Sequence, residues 1–182
     1  MALDDLLGAV VDQLQPQADE ESASALRCPC RLSWRSAAIT DMLIRLFLNL
    51  LDNAVKYTPP GGQVVVAAAQ DKMAVVVRVS DNGPGIAEEH LPHLFERFYR
   101  AGPIRMRGAG DGAHRGAGLG LAIAYEIVNA HGGELTVQSS PQRGDYLHRP
   151  FSPIVCVIRH LRRLPVRFLH RASHPPSLSI HA

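Results

Sequence analysis

A domain of mixed helices and strands is what this sequence predicts, and three observations carry the prediction. Apolar residues recur at helical spacing over 3–15, 41–57 and 119–130. Runs with strand character fill 63–70, 74–81 and 134–139. Clusters of Gly, Pro and Asn at 58–62, 81–85 and 131–133 punctuate the two kinds of segment. With 182 residues, 46% hydrophobic and 20% charged, the chain has the make-up of one globular domain with a real core.

The first helix places Leu3, Leu6, Leu7, Val10, Val11 and Leu14 on one face, and Pro16 predicts its end. A weaker helical or loop segment to about residue 25 follows. Residues 22–40 show neither alternation nor helical period and read as one poor strand plus loop. From an N-cap at Thr40 or Asp41, a strong helix runs to Tyr57 with Leu43, Leu46, Phe47, Leu50, Leu51 and Ala54 as its apolar stripe. Thr58-Pro-Pro-Gly-Gly62 ends it. The short link Asp71-Lys72 between two β-rich runs predicts an antiparallel hairpin, and Glu88 to Tyr99 reads as a short helix or two. Residues 100–118 are rich in Gly and Arg without apolar period; so long a connection in a compact domain is functional or disordered. His131-Gly-Gly133 closes the last helix, with His131 as a C-cap residue.

Several classes are disfavoured. A net charge of +2 gives no case for a nucleic-acid or membrane partner. No apolar run reaches the ~20 residues of a membrane-spanning helix, and the N-terminus lacks the pattern of a signal peptide. A cytoplasmic protein is therefore expected. Cys28, Cys30 and Cys156 form no zinc spacing and read as free thiols.

Four motifs can carry chemistry. In Asn49-Leu-Leu-Asp-Asn-Ala-Val-Lys-Tyr-Thr58, residues Asn49, Asn53 and Lys56 share a narrow arc of one helix face. Two amide oxygens and an ammonium suit a magnesium-bound polyphosphate; they equally suit a solvated helix edge. Asp81-Asn-Gly83-Pro-Gly85-Ile86 ends a strand, where a carboxylate can accept from the adenine amine or simply start a turn. Phe95-Glu-Arg-Phe98 places two aromatics three apart, suited to helix core or to anchoring the near end of the following loop. Gly116-Ala-Gly118-Leu119-Gly120 opens a helix, as at sites that hold phosphate on free amides. It lacks the strand and spacing of a dinucleotide fingerprint and the Lys of a P-loop.

In this order, over 72 residues, the motifs resemble the ATP-binding catalytic domain of bacterial sensor histidine kinases, within the superfamily that includes gyrase and mismatch-repair ATPases. They match that family's N, G1, F and G2 boxes over about residues 41–140, and Asn49, where gyrase-like members carry Glu, points to the kinase branch. The resemblance implies a two-layer α/β sandwich, its mixed, largely antiparallel sheet covered by helices on one face. It implies ATP and Mg2+ as ligands, with Asn53 binding the metal and Asn49 assisting catalysis through water or the phosphates. Lys56 would contact phosphate, Tyr57 would line the adenine side and Asp81 would read the adenine amine. Gly83, Gly85, Gly118 and Gly120 would let backbone approach, while Ile86, Gly116 and Leu119 complete the nucleotide-binding set. Arg97 and Arg100 are further phosphate candidates.

The implied reaction is transfer of the ATP γ-phosphoryl to a histidine, with a dimerisation and phosphoacceptor domain and a response regulator as partners. The family's acceptor precedes this domain, whereas the first histidine here is His90. A stand-alone module of the anti-sigma-factor-kinase kind, or an inert degenerate fragment, is the alternative. The expected organisation is an N-terminal helix at 1–21, a divergent segment at 22–40, the ATP-binding domain at 41–144 and an atypical tail at 145–182. From Tyr146 onward there are six Arg and five His but no acid, a composition that fits a shifted reading frame, a disordered tail or a basic interaction segment. A missing closing strand would leave a sheet edge unpaired.

Overall fold

The computed structural model describes residues 3–20, 24–27, 40–70, 74–101, 117–139 and 152–159. In chain order these form α1 (Leu3–Glu20), β1 (Ser24–Arg27), α2 (Thr40–Tyr57), β2 (Gln63–Gln70) and β3 (Ala74–Asp81). A short 3-10 helix (Glu88–His93), α3 (Gly120–Ala130), β4 (Glu134–Val137) and β5 (Ser152–Arg159) follow. The five strands make one mixed sheet in the order β1-β2-β3-β5-β4. Only the β1–β2 pair is parallel, and β2–β3, β3–β5 and β4–β5 are antiparallel.

Side-chain alternation decides which face is covered. Register pairs Val66 with Val79, Val77 with Cys156, Val75 with Ile158 and Leu135 with Cys156, and all of these are buried. The intervening residues Ala67, Ala69 and Arg78 are exposed. The same core holds Leu46, Phe47, Leu50 and Val55 of α2, each fully buried, together with residues of α1 and α3. Helices therefore cover one face of the sheet and solvent the other, the two-layer α/β arrangement the motifs imply.

Helix α2 follows its apolar period, and every residue of the expected stripe is buried. Its end is fixed by Thr58, whose amide and hydroxyl both donate to the Ala54 carbonyl, at 3.1 and 2.6 Å. In α3, His131 is the C-cap and pairs through Nδ1 with the Ile127 carbonyl at 2.6 Å; Gly132 follows at φ 61°.

Two elements run beyond the limits the sequence predicts. Helix α1 continues past Pro16 to Glu20. Its last turns are held by burial of Ala18, which is 1% exposed, and by Gln17 Nε2 donating to Asp52 Oδ1 of α2 at 3.2 Å. Tertiary contact thus outweighs the hydrogen bond the proline removes. The second departure is β5, which lies beyond residue 144, in the stretch expected to be an atypical tail. It pairs on both sides, with β3 and β4, so the sheet does have this strand. Ile154, Cys156 and Ile158 alternate onto the covered face, and Pro153, lacking an N–H, sits at its start, where its carbonyl accepts from Gln138 at 2.9 Å.

Burial pushes the Cys156 thiol up to about 12, which makes it an inert core residue. Cys28, Cys30 and the 100–118 loop beyond Ala101 and before Ala117 lie outside the described residues. Among the described residues, no helix is long and apolar enough to cross a membrane.

Because α1 contributes to the common core, Leu7→Ala should cost about 2–5 kcal/mol of unfolding free energy. Chemical denaturation checks this; a loss within about 0.5 kcal/mol would mean that α1 is peripheral to the core.

Candidate nucleotide site

One cavity of about 350 Å3 opens where α2, the β3 end, the start of α3 and the ends of β4 and β5 converge. That volume falls within the ~300–1,000 Å3 range of small-molecule pockets. Of the residues singled out in the sequence, Asn49, Asn53, Lys56, Tyr57, Asp81, Gly85, Ile86, Gly118, Leu119 and Gly120 all line it. Gly83 stands behind Asp81 rather than on the wall, and Gly116 lies outside the described residues.

Packing of α2 builds the first wall. With Leu46, Phe47, Leu50 and Leu51 buried, the arc bearing Asn49, Asn53 and Lys56 has to face the cavity edge. Asn49 Nδ2 donates to the Arg45 carbonyl at 2.8 Å, which holds the amide in place. Its Oδ1 then lies 3.2 Å from where a Cβ on Gly120 would stand, so the glycine lets this oxygen reach the first turn of α3. Lys56 Nζ lies 5.5 Å from the Tyr57 ring centroid, a cation–π distance.

The second wall is the turn after β3. Asp81 Oδ1 accepts from the Gly83 amide at 2.9 Å. A Cβ at Gly83 would fall 2.7 Å from that oxygen and 2.9 Å from the Tyr57 carbonyl, so a side chain there would force the turn away. Asn82 is buried and ties the turn to β2: its Oδ1 accepts from Gln63 N at 2.7 Å and its amide donates to the Gln63 carbonyl at 3.3 Å. Ile86 N donates to Ser139 Oγ at 2.9 Å. Burial pushes the Asp81 carboxyl above its ordinary value, partly opposed by the Gly83 amide, which stabilises the charged form.

The third wall is the entry to α3. Leu119 caps the helix without a side-chain hydrogen bond, and no acid stands in its first turn. Its first amides are thus open to an anion. Gly118 has φ 68°, and a Cβ there would lie 2.9 Å from both the Phe98 carbonyl carbon and the Tyr99 carbonyl oxygen. Phe98 N donates to the Gly118 carbonyl at 2.9 Å, which joins the two ends of the glycine-rich loop. The two phenylalanines divide the anchoring: Phe95 stacks on Tyr125 of α3 with centroids 5.1 Å apart, whereas Phe98 is 71% exposed and holds through its main chain. Arg100 lines the cavity; Arg97 does not, and lies 3.8 Å from Glu126 at the surface.

Other lining residues were not singled out as site candidates. Asp52, inside the α2 motif, adds a carboxylate beside Asn53, Tyr99 adds an aromatic wall, and Ser139, Ser152 and Ile154 come from the β4 and β5 side. Asp52 is legible in retrospect as the i+3 neighbour of Asn49 on the helix edge. Ser152 stands opposite Asp81 in register, a placement only the strand pairing reveals.

Residues 38–151 match the family described as histidine kinase-, DNA gyrase B- and HSP90-like ATPase. The sensor protein SphS of Synechococcus elongatus is 38% identical over an alignment of 148 residues that covers 76% of this chain and 34% of SphS. The chain thus spans about a third of that relative. The structure of the mycobacterial sensor histidine kinase MprB is similar with a TM-score of 0.69 at 28% identity, covering 87% of this chain and 96% of that one. Full-length ShkA, solved in complex with AMPPNP, gives a TM-score of 0.67 at 27% identity, over 87% of this chain and 30% of that one.

The folded state holds the Asp81 proton more tightly than the unfolded one, so this contribution to stability is complete below the ordinary carboxylate value and lost as pH rises through the raised one. At pH 7, without nucleotide, Asp81→Asn should therefore melt above the parent, and the gap should narrow towards pH 4. Thermal melts across that range check it; a variant that melts lower at pH 7 contradicts the burial argument.

Proposed function

This chain belongs to the histidine kinase-, DNA gyrase B- and HSP90-like ATPase family and carries the catalytic ATP-binding domain of the sensor histidine kinase type; from that premise we propose that its cavity binds Mg-ATP for phosphoryl transfer to a histidine held elsewhere. The observation that supports this best is the meeting of three motif groups, 30 to 70 residues apart, in one cavity of suitable size.

Each wall has a task. The Asp81 carboxylate keeps one oxygen on the Gly83 amide and offers the other to the adenine amine. Ile86, Tyr57 and Ile154 give the base an apolar surround. At the other end, Lys56, Arg100 and the open first-turn amides of α3, from Gly120 on, receive the phosphates.

The donor set suits magnesium. Among the described residues there is no cluster of three or more His, Cys, Asp or Glu that could cage a metal. The α2 edge instead offers sparse hard oxygen donors, the amides of Asn49 and Asn53 beside the Asp52 carboxylate. Mg2+ takes one or two protein ligands and fills its shell with phosphate and water, so Asn53, with Asn49 near it, would hold the ion. When bound, the ion would supply charge neutralisation to the phosphate groups. The chain's own contribution is positioning: the fixed Asn49 amide, the Lys56 charge and the α3 amides hold the phosphates in line.

Among the described residues, His131 is buried and committed to the Ile127 carbonyl, His90 pairs with Tyr99 and His93 with Glu96. None of the three lines the cavity. A dimerisation and phosphoacceptor domain, followed by a response regulator, is the matching partner set.

A fluorescent ATP analogue with Mg2+ should bind the parent chain. Asp81→Asn should weaken it at least about tenfold, the worth of a hydrogen bond to a charged group. Label from γ-phosphate-labelled ATP should appear on the histidine of an added kinase dimerisation hairpin. Absence of nucleotide binding by the parent would overturn the proposal, and binding without transfer would restrict it to a nucleotide-binding module.

A further inference from the structure

We propose that Ser139 is a positioning residue for the nucleotide cavity and acts through the main-chain amide of Ile86. The inference rests on the nucleotide reading above and adds to it a residue that no motif marks.

The turn from Asp81 to Ile86 leaves the sheet at the end of β3, so its amides lose their ladder partners and need others. Its first half is tied twice. Gly83 N donates to Asp81 Oδ1 at 2.9 Å, and Asn82 exchanges two hydrogen bonds with the Gln63 main chain. Its second half passes Pro84 and then Gly85, a glycine at φ 73° that can pivot at low cost. Immediately after that pivot, Ile86 N donates to Ser139 Oγ at 2.9 Å, across 53 residues of chain.

Ser139 is itself placed by the sheet. It stands two residues beyond β4, and the intervening Gln138 donates its amide to the Pro153 carbonyl of β5 at 2.9 Å. The exit of β4 is thereby held against β5, and the hydroxyl is aimed at the turn. Ile86 and Ser139 both line the cavity beside Asp81. Without the hydroxyl, the segment after Gly85 is free to swing, and the apolar surface of Ile86 loses its fixed distance from the Asp81 carboxylate. A base that needs both at once then binds to a less ordered site.

Ser139→Ala and Ser139→Thr in the full chain test this, read by Mg-ADP affinity, residue-resolved amide exchange and thermal melting. Ser139→Ala should raise Kd about 3- to 10-fold, the worth of one net hydrogen bond. Exchange should speed up at Ile86 and leave the β3 amides unchanged, with the melting temperature close to the parent's. Ser139→Thr, which keeps an acceptor oxygen, should restore both Kd and the protection of Ile86. Unchanged affinity in Ser139→Ala, alongside a parent that binds, overturns the inference and leaves the nucleotide reading standing. Faster exchange spread over the whole sheet with a lowered melting temperature also overturns it, because the bond would then serve only stability. A parent that binds no Mg-ADP overturns both.

Discussion

A carboxylate set partly inside the fold, at the mouth of a sheet, is the constraint around which the rest of this structure is arranged. The charged form of Asp81 is less favoured where it sits than in water, because burial raises its pKa and a single amide only partly compensates. Its neighbours fit this requirement. Gly83 has no side chain because the space for one is filled by Asp81 Oδ1 and the Tyr57 carbonyl. Asn82 faces the opposite way and anchors the turn to β2, and Gly62 is a glycine because a Cβ there would fall 2.9 Å from Asn82 Oδ1. A ligand carrying an amine into this place would supply the partner that water supplies to an exposed carboxylate. Tension of this kind is common at sites shaped for ligands rather than for stability.

The second determinant is the rotation of α2 about its own axis. One face carries Phe47, Leu50, Leu51 and Val55, all fully buried, so the helix cannot turn without exposing several large side chains. At ~25 cal/mol per Å2 of apolar surface, exposing even two of them costs several kcal/mol, more than any rearrangement of a surface amide returns. The core thus dictates where Asn49, Asn53 and Lys56 point. The Asn49 bond to the Arg45 carbonyl and the close approach of Gly120 refine a direction that hydrophobic packing has already chosen. The cavity-facing arc and the packed arc are two faces of one helix.

This explains what could be read from the sequence and what could not. The α2 stripe, the 63–70/74–81 hairpin and the α3 entry are legible because each is specified by local period and by Gly or Pro at its ends. The cavity residues on α2 and the β3 turn are legible because they sit within those same local patterns. The turns of α1 beyond Pro16 are not, since they depend on burial of Ala18 and the Gln17–Asp52 contact rather than on propensity. The bond made by Ser139 is illegible for the same reason: a side-chain bond to a main-chain amide 53 residues away has no local signature. For β5, prolines and the acid-free composition masked a short alternating run whose strand character is decided by its neighbours.

The dependence on β5 reaches the site itself. β3 lies between β2 and β5, and Asp81 at its end pairs with Val64 on one side and Ser152 on the other. Ser152 and Ile154 also close the cavity wall opposite α2, and Pro153 receives the bond that orients the β4 exit. If this strand were absent, β3 would become an edge, Val77 and Val79 would lose their neighbours Cys156 and Ile154, and the Asp81 end would be the least restrained part of the sheet. The four motifs that announce nucleotide chemistry all precede residue 121, yet the geometry that lets them act together is completed by eight residues that follow residue 151 and carry no motif. Motif residues line the cavity on one side; the strand farthest from them in sequence closes it on the other.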